Sequence, residues 1–200
     1  MKEWGVGCGV IVIVLLGFGL AVASGYNSLV GLDQAVQAQW GQVENVYQRR
    51  ADLVPNLVET VKGAAAFEKD TFTAVTEARS RVGQMGASGP SVPSDPAAFA
   101  KFQQAQDGLS SALSRLMVVV EKYPDLKATA NFRDLQAQLE GTENRVSVER
   151  MRFNETAQAF NTKRQSFPTI LIAGFFGDRF KEKVYFKAQA GAETAPKVKF

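Results

Sequence analysis

The stretch Asn131–Phe167, NFRDLQAQLEGTENRVSVERMRFNETAQAFNTKRQSF, sets Phe132, Leu135, Leu139, Val146, Phe153, Phe160 and Phe167 at steps of three, four and seven. A 3.5-residue repeat keeps one narrow apolar seam facing partner helices, whereas a strand would alternate with period two. The segment therefore reads as one long helix over 131–166. The same pattern recurs outward from it. Phe99, Phe102, Leu109, Leu113, Leu116, Val120 and Tyr123 mark a helix over 97–123. Leu57 or Val58, with Val61, Ala65, Phe72, Val75 and Val82, mark one over 53–83, and Val36, Trp40, Val43 and Tyr47 mark one over 26–51. The expected fold is all-α, an antiparallel bundle of four long helices spanning 26–166.

Local chemistry sets the expected breaks. Pro55 fits the first turn of a new helix, so a boundary or kink is expected near 51–53. Gly83–Pro96, GQMGASGPSVPSDP, reads as a mobile loop. Tyr123-Pro124 ends the third helix, and Asn131 is the expected N-cap of the fourth. Gly141, inside that helix, costs about 1 kcal/mol relative to alanine, which suggests close approach of another backbone.

Ahead of the bundle, Gly5–Gly25, GVGCGVIVIVLLGFGLAVASG, carries no charge. It is long enough to cross a hydrocarbon core of about 30 Å as a helix. Its centre is Val10, Ile11, Val12, Ile13, Val14, Leu15 and Leu16. The rival reading is a cleaved signal peptide ending near Ala21-Val22-Ala23. The weak n-region (Lys2 offset by Glu3) and the long apolar run favour an uncleaved anchor over residues 1–25. Lys2 on one side, against Asp33 and Glu44 on the other, favours an N-inside orientation, with the bundle outside the cytoplasm.

The absences restrict function. The 200 residues carry a net charge of +3, contain no histidine, and have Cys8 as their single cysteine. Ser-His-Asp and Cys-His catalysis, His-ligated zinc or haem, and an intrachain disulfide are excluded. The charge is too small to argue for nucleic acid. No phosphate loop, GxSxG or dinucleotide fingerprint occurs, so neither enzymatic activity nor a cofactor is expected.

Two polar clusters interrupt the seams. One holds Arg49, Arg50, Asp52 and Asn56; the other holds Glu140, Glu143, Asn144 and Arg145. Glu140, Glu143 and Asn144 share a helix face. With Asp52 they could form an all-oxygen site for Mg²⁺ or Ca²⁺. The favoured reading is structural: Arg49 or Arg50 meets Glu140 or Glu143 across helices and fixes their register. Asn154 and Asn161, one heptad apart, are expected hydrogen-bonders at the seam edge. The C-terminal tail, 167–200, concentrates Phe167, Phe175, Phe176, Phe180, Tyr185 and Phe186. Its run FPTILIAGFF is too short to span a bilayer. It either folds back on the bundle or meets the membrane interface or another subunit, the last two being the contact expected of these six aromatics.

Tyr26-Asn27-Ser28-Leu29-Val30, Trp40-Gly41-Gln42-Val43-Glu44, QRRADLVPNLVETVKG and EGTENRV together resemble the LemA family. The likeness continues through Phe153-Asn154, Phe160-Asn161-Thr162, Ser166-Phe167-Pro168 and Tyr185-Phe186. Ala64-Ala65 departs from the family's usual aromatic, and Phe153 and Phe160 stand where tyrosine is common. The resemblance implies a bacterial helical-bundle protein anchored in the inner membrane, without established catalysis, in a family that includes magnetosome-membrane proteins. Members are often encoded near a membrane metalloprotease, which implies a partner of that kind. The expected function is a non-enzymatic scaffold that binds the lipid bilayer, forms homo-oligomers and organises or remodels the membrane. The alternative is an adaptor or regulator of a membrane protease.

Overall fold

The computed structural model describes residues 2–62, 69–86, 92–93 and 95–188. The side chains of residues 2–8, 10 and 69 lie outside that description, as do Val10's expected role, Ala64-Ala65 and residues 189–200 of the tail. The described chain is all-helical: α1 Lys2–Lys62, α2 Lys69–Gly86, α3 Pro96–Val120, α4 Pro124–Lys127, α5 Ala130–Gln165 and α6 Thr169–Phe175. The expected loop over 83–96 therefore starts later, because α2 continues to Gly86; residues 87–91 and 94 lie outside the described residues. Residues 181–188 belong to no helix or strand.

α1 contradicts the boundary expected near 51–53. It contains Pro55 in its interior and continues to Lys62. Two physical reasons account for this. First, the seam keeps its phase through the proline. Val36, Trp40, Val43, Tyr47, Arg50, Val54, Leu57 and Val61 alternate steps of four and three, and all are buried. Second, proline lacks the N–H that would reach the Ala51 carbonyl four residues back. Arg79 Nε of α2 donates to that oxygen at 3.2 Å.

Other local expectations also shift. Asp95 caps α3, accepting from the N–H groups of Ala97 and Ala98 at 3.3 and 3.1 Å, with Pro96 in the first turn. α5 begins one residue before the expected cap: the Thr129 hydroxyl, not Asn131, accepts the Phe132 N–H at 3.4 Å. Gly141 has open space where a Cβ would stand, so no backbone crowds it. The close approach occurs at Gly25, where an added Cβ would lie 2.6 Å from Ile172 Cδ1.

The chain divides into two compact units. The first comprises α1 as far as Ala38 and Glu155–Lys183. Its buried side chains include Leu29, Val36, Ala157, Phe160, Ile172, Ala173 and Phe180. Tyr26 packs between Phe176 and Phe180, with centroids at 5.1 and 5.5 Å. Asp33 pairs with Lys183 at 2.5 Å, and the Lys183 ammonium sits 4.9 Å from the Phe160 ring centre.

The second unit comprises Gln39–Asn154 with the chain from Val184 onward. Its contacts set helix direction. Trp40 meets Phe99 and Phe153, Tyr47 meets Phe102 and Arg150, and Arg50 meets Ser110 and Glu143. α1 and α3 therefore run parallel, and α5 opposes both. Arg79 of α2 lies at Ala51 while Phe72 lies at Lys62, so α2 opposes α1. The order is up-down-up-down, with α4 a single turn between α3 and α5. An apolar core of Val54, Leu57, Val61, Val75, Leu109, Leu113, Leu116, Phe132 and Leu139 fills the end of the unit nearer α4. Each fully buried Leu or Phe there contributes about 1.5–3 kcal/mol.

Arg79→Ala should destabilise the chain by about 0.5–1.5 kcal/mol, the usual net worth of a hydrogen bond. The cost should shrink in a Pro55→Ala background, where the new N–H takes the Ala51 carbonyl. Urea unfolding followed by circular dichroism measures both; equal costs in the two backgrounds would remove the role assigned to Arg79.

Candidate functional site

Arg50 occupies a seam slot of α1 and is fully buried. A guanidinium keeps its charge and presents five N–H donors, so the helices around it must supply acceptors. Its Nη1 donates to Ser110 Oγ at 2.7 Å and to Glu143 Oε1 at 2.8 Å. Its Nη2 donates to the Gln106 carbonyl at 3.2 Å and also to Gln106 Oε1. The guanidinium carbon stands 5.1 Å from the Tyr47 ring centre. Three helices thus meet on one cation.

A second polar level lies beside it. Arg150 Nε donates to the Tyr47 hydroxyl at 2.5 Å, and Arg150 Nη2 donates to Asp107 at 2.9 Å. Burial pushes the Tyr47 pKa up, although both arginines oppose that shift. For Arg150 burial works against the charge, but Tyr47 and Asp107 more than offset it and the net shift is upward. Beyond this level Trp40 is surrounded by Phe99, Phe102, Phe153 and Phe186, at centroid distances between 5.1 and 6.1 Å.

Of the two expected polar clusters, the structure brings Arg50 and Glu143 together. Arg49, Asn56, Asn144 and Arg145 are exposed. Asp52 is exposed too, accepts from Gln48 Nε2 at 2.8 Å, and lines a groove of about 870 Å³ with Glu44, Tyr47, Arg79 and Phe102. Glu140, Glu143 and Asn144 line a different groove of about 470 Å³. Asp52 is therefore not a third ligand for the carboxylates of α5. Among the described residues no three His, Cys, Asp or Glu side chains are grouped to hold a metal. In the larger groove burial raises the Glu44 pKa from 4.5, with the Trp40 indole opposing the shift. Ser110 Oγ stands 3.4 Å from Glu143 Oε1, but a carboxylate neutralised by Arg50 is a poor base for a hydroxyl.

Gln106, Ser110, Asp107, Tyr47 and Arg150 were not foreseen as members of the site. The signal was a gap. The apolar stripe of α3 jumps from Phe102 to Leu109, and the missing slot between them is Gln106. In α5 the jumps from Leu139 to Val146 and on to Phe153 leave slots for Thr142 and Arg150.

The six tail aromatics divide. Phe180 and Phe186 are buried in their own units and so do not serve as outward contacts, while Phe167 and Phe175 are strongly exposed, and Phe176 and Tyr185 partly so. Side-chain amides hold the tail by its backbone. In the first unit Asn161 donates to the Lys183 carbonyl at 2.8 Å and accepts its N–H at 2.9 Å. In the second, Asn154 does the same with Phe186 at 3.0 and 2.8 Å, and Gln103 with Lys187 at 2.7 and 3.3 Å. Each carboxamide mimics a peptide group of a neighbouring strand.

The LemA family model matches residues 39–200, most of the chain and all of the described second unit. The chain belongs to the LemA family. The stretches QRRADLVPNLVETVKG and EGTENRV deliver Arg50 and Glu143 to the same ion pair. Among curated relatives of this LemA-family chain, magnetosome protein MamQ 2 of Paramagnetospirillum magneticum is 26% identical over 84% of the chain and 67% of its own length. Magnetosome protein MamQ of Magnetospirillum gryphiswaldense is 26% identical over 92% of the chain and 72% of its own length. Protein LemA of Metamycoplasma hominis is 22% identical over 74% of the chain and 63% of its own length.

Removing the counter-charge and removing the cation should not cost the same. Glu143→Ala leaves Arg50 buried without a carboxylate and should cost about 3–5 kcal/mol. Arg50→Met leaves Glu143 with access to water and should cost less. Thermal unfolding of both variants in detergent gives the order, and the reverse order would contradict this account of the layer. Asn154→Ala should leave the Phe186 peptide group unpaired and raise amide exchange at Phe186, with Asn161→Ala doing so at Lys183. Hydrogen–deuterium exchange that stays at the native level in both variants would show that the carboxamides do not hold the tail.

Proposed function

We propose that this chain is a non-enzymatic, single-pass scaffold of the bacterial inner membrane, with its bundle outside the cytoplasm, that self-associates and organises or remodels the bilayer. One observation carries the reading. The large side chains from Ile11 to Leu20 are 54–72% exposed, yet they belong to the same helix that supplies Trp40, Arg50 and Leu57 to a packed core. That helix is long and apolar enough to cross a membrane. An apolar surface of this extent needs lipid or protein against it. The polar chemistry of the second unit supports the non-enzymatic part, because its buried charges are neutralised by one another. The magnetosome proteins among the relatives support a membrane setting.

Static light scattering of the full chain in detergent should give a mass of more than one chain, and reconstitution into giant vesicles should deform them into tubes or buds. A strict monomer that leaves vesicles spherical would overturn the scaffold. If that monomer crosslinked in cells to a membrane protease, the adaptor role would replace it.

A further inference from the structure

α6 is seven residues long, TILIAGF, and carries no charged side chain. Thr169, Ile172 and Ala173 face inward and are buried. On the opposite side Phe167, Ile170, Leu171 and Phe175 are 81%, 48%, 63% and 85% exposed. Ile170, Leu171 and Phe175 fall on the exposed side of α6, and Phe167 stands two residues before its start. No described residue of the first unit covers that face, and a short helix apolar on both sides is not designed for water.

The position of α6 along α1 says what covers it. Ile172 is packed directly on Gly25, the last residue of the apolar segment Gly5–Gly25. The large exposed side chains of that run end at Leu20, five residues earlier, which is about 7.5 Å of helix rise. An interfacial helix buries its apolar face roughly 5–10 Å into the boundary between headgroups and acyl chains. Tyr26, which follows Gly25, packs on Phe176 and Phe180, the kind of aromatic group that gathers at a membrane–water boundary. Within the first unit the charges that follow α6 are met by acids: Lys181 pairs with Asp178 at 3.1 Å, Lys183 pairs with Asp33, and Arg179 is accompanied by Glu182. Apolar area, rather than attraction to anionic lipid, is what the face offers.

We propose that α6 is a second membrane contact, with Phe167, Ile170, Leu171 and Phe175 seated in the interfacial layer of the bilayer that α1 crosses. The inference rests on the reading of α1 as a membrane span, and its test separates the two. In a Cys8→Ser background, single nitroxide labels are placed on Leu171→Cys, Phe175→Cys, Leu15→Cys and Gln158→Cys; Gln158 is an exposed polar residue of α5 in the same unit. The full chain is held at one copy per nanodisc, in phosphatidylcholine with and without phosphatidylglycerol. Power saturation should show labels at 171 and 175 relaxed more by oxygen than by an aqueous nickel chelate, with the reverse at 158, in both lipids. Nickel access at 171 and 175 equal to that at 158, with the label at 15 still in lipid, overturns the α6 contact and leaves the anchor standing. Nickel access at 15 overturns both. Protection at 171 and 175 that appears only when discs hold two copies assigns the face to a second copy of the chain and overturns the lipid contact.

Discussion

A cation that cannot lose its charge sits in the seam of α1 without access to water, and the surrounding helices are arranged around that constraint. Arg50 needs acceptors from every side, so α3 must present Gln106 and Ser110, and α5 must present Glu143, at one level. A slip of either helix by one turn would bury the charge unpaired. A buried pair of this kind adds little net stability compared with an apolar layer, and its consequence is alignment. Around this cation, Trp40 and its ring of phenylalanines close on one side while the aliphatic core closes on the other.

Much of this was legible in the residues themselves. Heptad-spaced Phe, Leu and Val located the bundle helices, and an uncharged run of sufficient length located the candidate span. The break expected at Pro55 does not form, because the stripes on either side of it are one stripe. Arg50 and Val54 join them in phase, and the donor that makes the proline tolerable belongs to another helix, at Arg79. A cost that is local in sequence can be offset by a partner far along the chain, and no windowed pattern shows that. The glycines teach the same lesson: Gly141, expected to be crowded, is open, whereas Gly25, at the end of the apolar segment, is the point of contact with Ile172.

For the polar site, the residue types were visible and the pairing was not. Arg49 and Arg50 are adjacent and chemically equal, but only position 50 falls in the 3-4 phase of the seam. In α5 the seam slot is Thr142; Glu143 stands beside it, half-buried, where it reaches Arg50, whereas Glu140 is exposed. Aromatic content in the tail could not separate Phe180 and Phe186, which turn inward, from Phe167 and Phe175, which do not. What separates them is carried elsewhere, by Arg164, Asn161 and Asn154 on α5, which bind the tail's carbonyls and N–H groups.

Gripping a segment by its peptide groups has an evolutionary corollary. Asn161, Asn154 and Gln103 read no side chain, so the clasp is indifferent to the identity of the residue it holds provided that residue has an N–H. Proline alone is barred outright at 183, 186 and 187. Selection for an attached tail should therefore be written in the helices, as retained carboxamides, while the surface residues of the tail drift.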